Sequence, residues 1–219
     1  MINELLEITN SEEFYQNSWF NLVSMNHQAG NQSLSEFDFI LDDRDEMGAQ
    51  INLQYWKIKA FKTLEINNLV LDTLLPYIKL KIIEEHPLLW KYNKSELECE
   101  LKNFPSKINE FVGELYFEIE KVTGNWIAFD KIIFGLQQYS KGIAILNFPE
   151  PLKVIFESIC SKYNIDFSII NTIEGYKKGY ADRPNAKLLI FGNEDVNPNE
   201  SNLYQPYIIA DNFSATVVK

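Results

Sequence analysis

The chain is poor in the residues that most often assemble a reaction centre. In 219 residues it holds two cysteines, Cys99 and Cys160, and two histidines, His27 and His86. None of the four has the close paired spacing that announces a zinc site, so no metal and no cofactor is expected. Lone thiols in a chain of this size are expected to be reduced and buried, as in a cytoplasmic protein. Glycine is scarce, at nine residues. None stands in the turn Leu146-Asn147-Phe148-Pro149-Glu150-Pro151, where a phosphate would need free backbone N–H groups. Two prolines and a carboxylate there exclude a dinucleotide or P-loop cradle. No glycine-flanked serine forms a nucleophile elbow. Asp195, Asn197 and Asn199 alternate as in a calcium loop, but Glu200 and Pro206 occupy the positions that need glycine and glutamate. No catalytic residue is assigned. His86, next to Glu84 and Glu85, is the one candidate a carboxylate could orient.

Long apolar runs are also missing. Nothing approaches the roughly 18 uninterrupted residues of a membrane helix. Met1–Glu7 lacks the basic start and apolar stretch of a secretory signal peptide, so a cytoplasmic location and no membrane partner are expected. Arginine occurs only at positions 44 and 183. Twenty basic side chains against 31 acidic ones leave a net charge of −11. That field repels a phosphate backbone, which disfavours duplex nucleic acid and favours a basic partner.

What is present is a well-patterned globular sequence, 46% hydrophobic and 14% aromatic. Residues 106–124 predict one amphipathic helix, capped by Ser106 and stopped by Gly124. Ile108, Phe111, Val112, Leu115, Ile119 and Val122 recur at helical spacing, so they share a face. Glu110, Glu114 and Glu118 form an acidic ridge on the other side. Residues 11–27 predict a short helix capped by Ser11, with Phe14, Trp19, Phe20 and Val23 on its apolar side. Strands are expected at 37–41, 51–66, 77–82 and 97–101 from apolar–polar alternation. The alternation changes phase at Tyr55-Trp56, where a β-bulge or a change of strand is expected. A second, less regular helix covers 126–139. Beyond it, a strand at 142–146, a helix over 152–163 and a strand at 167–170 read as a βαβ unit. Further strands are expected at 188–191, 207–210 and 216–218.

The fold class that follows is α+β: an antiparallel β meander covered by amphipathic helices, then a smaller α/β lobe containing the βαβ unit. The expected lobes are 1–139 and 140–219, packed tightly because no flexible tether separates them.

Two functional readings result. In the first the protein is a non-enzymatic interaction module, inhibitor-like or immunity-like, that docks a basic partner. Its docking residues are then Asp42, Asp43, Asp45 and Glu46 in one inter-strand turn, or the ridge of Glu110, Glu114 and Glu118. In the second it is an enzyme or a binder of a small anionic ligand, using a cleft between the lobes. Tyr176, Lys177, Lys178, Tyr180 and Arg183 interleave aromatics with cations, and with His86 they supply that site.

Overall fold

Ser11 caps a helix, as its position suggests, accepting the Phe14 N–H at 3.2 Å. The helix is shorter than the pattern implied, because the chain turns extended at Ser18. From Trp19 on, Phe20 and Leu22 alternate inward as strand residues rather than at helical spacing. The structure, a computed structural model, describes residues 2–30, 33–71, 74–76, 78–175, 185–192 and 205–218. These fall into two compact units, with residues 85–175 in the second and the rest in the first.

In chain order the first unit supplies α1 (Ile2–Asn10), α2 (Glu12–Asn17), β1 (Trp19–Gln28), β2 (Leu34–Arg44), β3 (Gln50–Phe61), β4 (Glu65–Asn67), β5 (Leu74–Pro76) and β6 (Lys79–Ile83). The second unit then supplies α3 (Pro87–Asn93), β7 (Glu96–Lys102), α4 (Ile108–Thr123), α5 (Phe129–Ile133), β8 (Ile143–Pro149), α6 (Lys153–Lys162) and β9 (Asp166–Ile173). The chain returns to the first unit for β10 (Lys187–Gly192), β11 (Tyr207–Ala210) and β12 (Asn212–Val217).

The first unit is two antiparallel sheets, ordered β12-β3-β2-β1-β5 and β4-β11-β10-β6. Side chains alternate along each strand, so every second residue of β1 to β3 points to the core. Phe20, Leu22, Phe37, Phe39, Leu41, Trp56 and Ile58 are buried there with Leu80, Leu189, Phe191 and Ile208 of the other sheet. The Phe191 ring lies 5.8 Å from Phe20 and 5.5 Å from Phe39, which ties the two sheets together. Each such side chain contributes about 1.5–3 kcal/mol of burial. Leu5 of α1 and Phe14 of α2 join the same cluster.

The second unit is one three-stranded sheet, β8-β7-β9, with α4 and α6 over its buried face. Phe111, Leu115 and Ile119 of α4 and Phe156, Ile159 and Cys160 of α6 are buried against Leu97, Cys99, Leu101, Leu146 and Phe148. Phe148 and Phe156 stack at 3.9 Å. The βαβ connectivity is there, but split. Both β8 and β9 run antiparallel to β7, which lies between them, so the two crossover-linked strands are parallel without pairing.

The α+β class therefore holds, with all the described sheets antiparallel. Several details differ from the sequence reading. The meander does not include β7, which pairs with β8 and β9; α4 covers that sheet and not the one built from β1 to β3. The division between units falls at Glu84/Glu85 rather than near Gly142, since β7 and β8 are neighbours in one sheet. The C-terminal strands β10 to β12 belong to the first unit. On α4, Lys107 rather than Ser106 occupies the cap position. Val122 is 38% exposed while Thr123 is buried. The stripe steps by fours from Phe111 to Thr123, whose hydroxyl donates to the Ile119 carbonyl at 3.0 Å.

Candidate functional site

The hairpin of β2 and β3 is longer than the sheet that supports it. β12 pairs with β3 only over residues 56–61. A last bond, from the Val218 N–H to the Tyr55 carbonyl, closes that edge at 2.7 Å. Residues 50–54 pair with β2 on one side and have no described strand on the other. The arm ends in a tight turn that Asp45 holds. Its carboxylate accepts the N–H groups of Met47 and Ala49 at 2.9 and 2.8 Å, and Gly48 takes a φ of 81°.

No bulge lies at Tyr55-Trp56; β3 keeps its register from Asn52 to Phe61, and the shift comes at the end of the arm, where Asp43 faces Asn52 and Arg44 faces Gln50, leaving Ile51 as the extra residue on β3. The change of phase has another cause. Trp56, Ile58 and Ala60 face the core, so Leu53 and Tyr55 lie on the opposite, outer face, and Ile51 at the shift beyond them is exposed as well. Their exposures are 60%, 37% and 39%, and Val218 beside Tyr55 is 56% exposed. Further along the same outer face the pattern is ordinary: Lys57 pairs with Asp38 at 2.9 Å and Lys59 with Glu36 at 2.6 Å. An exposed apolar row beside a strand segment with no described partner on one side is a feature of surfaces that add a strand.

The predicted acidic turn sits at this end of the arm. Four carboxylates stand against one guanidinium between Asp42 and Glu46. Arg44 holds Asp42 at 2.7 Å and stacks on the Trp19 ring at 4.1 Å. Asp43 accepts the Ser18 hydroxyl at 2.6 Å. Asp45 is occupied by its own turn, and Glu46 is exposed beside Met47, which is 93% exposed. Of the predicted residues, Asp42 stands opposite Leu53 of an apolar row that sequence reasoning did not single out, Asp45 and Glu46 lie in the turn at the end of the arm, and Asp43 follows Leu41 on the inner side of β2. The change of phase was the signal.

The ridge on α4 is different. Lys107 pairs with Glu110 at 2.8 Å, and Lys121 pairs with Glu118. Lys162 and the Tyr163 hydroxyl both hold Glu114 and keep its carboxyl below the usual range. Each glutamate has a cation beside it, so the ridge is a neutralised wet face.

His86 is 1% exposed and serves as the N-cap of α3, with Nδ1 accepting the Leu88 N–H at 3.2 Å. That leaves the proton of the neutral ring on Nε2. Nε2 is buried with no hydrogen-bond partner, and the ring meets Trp126 edge-on at 4.9 Å. Burial pushes its pKa down to about 4. Neither Glu84 nor Glu85 bonds to it. Glu85 instead takes the Trp90 indole N–H at 3.3 Å and Lys94 at 2.9 Å. Burial likewise raises Cys99 to about 11 and Cys160 to about 12, so both are inert thiols in the second core.

Tyr176, Lys177, Lys178, Tyr180 and Arg183 lie outside the described residues, as do Asp195, Asn197 and Asn199. A cleft of about 280 Å³ opens between α3 and α5. Lys91 and Lys131 on its walls are opposed by Glu96, so its charge points to no single ligand class. Among the described residues no cluster of three histidine, cysteine or carboxylate side chains could hold a metal, and no helix is long and apolar enough to cross a membrane. No protein-family model, curated protein or solved structure matches this chain, so its chemistry is read from its own residues.

Proposed function

We propose that this protein is an interaction module whose β2–β3 arm docks a basic, strand-forming segment of another protein. Residues 50–54, with no described strand on one side, offer backbone hydrogen bonds to an added strand. Ile51, Leu53 and Tyr55 offer the apolar contact, and the net acidity of the turn, with Glu46 exposed at its tip, selects a cationic partner. The exposed apolar row on that segment is the observation that carries the reading. A net charge of −11 supports it by steering cationic partners toward the chain. The role in mind is inhibitor-like or immunity-like, in which capture itself is the function. Its setting is the cytoplasm, where Cys99 and Cys160 stay reduced.

The test is capture from native lysate of the source cells at rising salt, with wild type and Ile51→Ser/Leu53→Ser compared. Both positions are exposed, so thermal unfolding should move little. Wild type should retain a basic protein whose yield falls with salt, and the variant should lose about tenfold of it. Equal capture by both proteins, or capture insensitive to salt, would refute the docking surface.

A further inference from the structure

The wet side of α4 is not uniformly polar. Tyr116 and Phe117 interrupt its glutamates, and Phe117 is 65% exposed. Beside Tyr116, between the last two turns of α4 and the start of α5, lies a pocket of about 240 Å³. Tyr116 and Phe129 form two of its walls. Their rings stand nearly at right angles, 79° apart, with centroids separated by 5.2 Å. Glu120, one turn after Tyr116, lines the same space. The Tyr116 hydroxyl donates to the Glu120 carboxylate, and that bond raises the phenol's pKa. The remainder includes Thr123 and Asn125 at the C-terminal end of a sixteen-residue helix, where the macrodipole is negative. No lysine, arginine or histidine is among the lining residues.

We infer that this pocket binds the head group of an organic cation, an alkylammonium or a guanidinium. The two rings pack edge to face, and the ring face left to the pocket would present negative quadrupole density to a cation. A carboxylate and the C-terminus of the sixteen-residue α4 add to the same sign, no basic side chain lines the pocket, and the first turn of the five-residue α5 is the opposing dipole. An anion would meet the Glu120 carboxylate with no basic side chain in the lining to offset it. A neutral apolar guest would gain the rings but leave Glu120 with poorer solvation. The surface around Phe117 gives the alkyl part of the ligand somewhere to lie. The pocket belongs to the second unit and shares no residue with the hairpin arm, so it stands or falls separately from the docking reading.

The experiment titrates the full chain at constant ionic strength, following the ring protons of Tyr116 and Phe129 by NMR. The probes are choline, tetramethylammonium, N-acetyl-arginine amide and N-acetyl-lysine amide. The control is 3,3-dimethylbutanol, the uncharged isostere of choline. At least one cation should saturate a single site and shift both rings, and choline should bind about tenfold more tightly than its isostere. Tyr116→Leu and Glu120→Gln should each weaken the cation about fivefold or more while leaving the unfolding midpoint nearly unchanged. Preference for the amino-acid amides would assign the site to a basic side chain of a protein, and preference for choline to a free quaternary amine. Equal affinity for the isostere, unchanged affinity in the two variants, or no saturable shift of these rings would overturn the assignment.

Discussion

Replacing Gly135 with alanine should destabilise the second unit by about 3 kcal/mol or more, at the upper end of what overpacking costs. Gly135 sits in a 3₁₀ segment (Phe134–Lys141) laid against β8. A Cβ there would lie 1.7 Å from the Ile145 carbonyl oxygen and 2.9 Å from the Leu146 side chain. The oxygen cannot step aside, because Ile145 is fixed in register opposite Glu100 of β7. Relief therefore requires moving a whole segment off the strand. Gly113 provides the opposite case on α4, since a Cβ built there meets nothing within 4 Å. Gly113→Ala should stabilise by about 0.5–1 kcal/mol, the ordinary gain of removing a helical glycine. Urea unfolding read through Trp90 and Trp126, with hydrogen exchange in β7 to β9 to locate the effect, checks both. A Gly135→Ala protein as stable as wild type would contradict the close approach.

His86 should make the second unit sensitive to mild acid. Its folded pKa is about 4, while the unfolded chain should titrate near the ordinary value of 6.5. Between these values the unfolded state binds the extra proton. The His86 contribution is complete above pH 6.5 and is lost as the pH falls from there toward 4. At about 1.36 kcal/mol for each tenfold, the loss approaches about 3 kcal/mol at pH 4. His86→Asn separates this from the carboxylates that also titrate at low pH. Asparagine is a good N-cap and does not ionise, so α3 keeps its first turn. The stability difference between wild type and variant should change by about 3 kcal/mol from pH 7 to pH 4, in favour of the variant. A difference independent of pH would mean that the imidazole is not buried in its neutral form.

The parts of this fold legible in the sequence are those where one face of an element is buried and the other wet. α4 runs from Ile108 to Thr123 and ends at Gly124 with a φ of 54°, close to what its stripe and its glycine implied. The α6 stripe of Leu152, Phe156, Ile159 and Cys160 and the alternation of Leu97, Cys99 and Leu101 are equally direct. α1 is missed because its short stripe is weak, with only Leu5 and Thr9 fully buried. The helix assumed across residues 11–27 fails where Phe20 and Leu22 suit a strand as well as a helix, and tertiary pairing with β2 decides. Sheet membership is not readable from alternation at all. β7 reads like any other strand, and only the structure shows it beside β8 and β9 rather than β6.

The candidate site was half legible for a related reason. Acidic residues 42–46 are visible as a cluster, but carboxylate counting cannot tell Asp45, spent on its own turn, from the exposed Glu46. It also cannot tell the arm from the α4 ridge, where a lysine sits beside every glutamate. The apolar half of the site was written in the phase of β3. Ile51, Leu53 and Tyr55 follow an alternation opposite to Trp56, Ile58 and Ala60, and a bulge is the economical way to put both on the core side. With the register unbroken from Asn52 to Phe61, Leu53 and Tyr55 have nowhere to point but outward, and Ile51, the extra residue at the end of the arm, is exposed beside them.

The most direct measurement of the docking claim is photo-crosslinking from the arm. A photoreactive side chain at Leu53 is compared with one at Val154, which is 72% exposed on α6 in the other unit. In native lysate, the probe at Leu53 should give one dominant adduct to a basic protein, weakened by salt and absent from the probe at Val154. Adducts that are the same from both positions, or none from Leu53, would contradict the account.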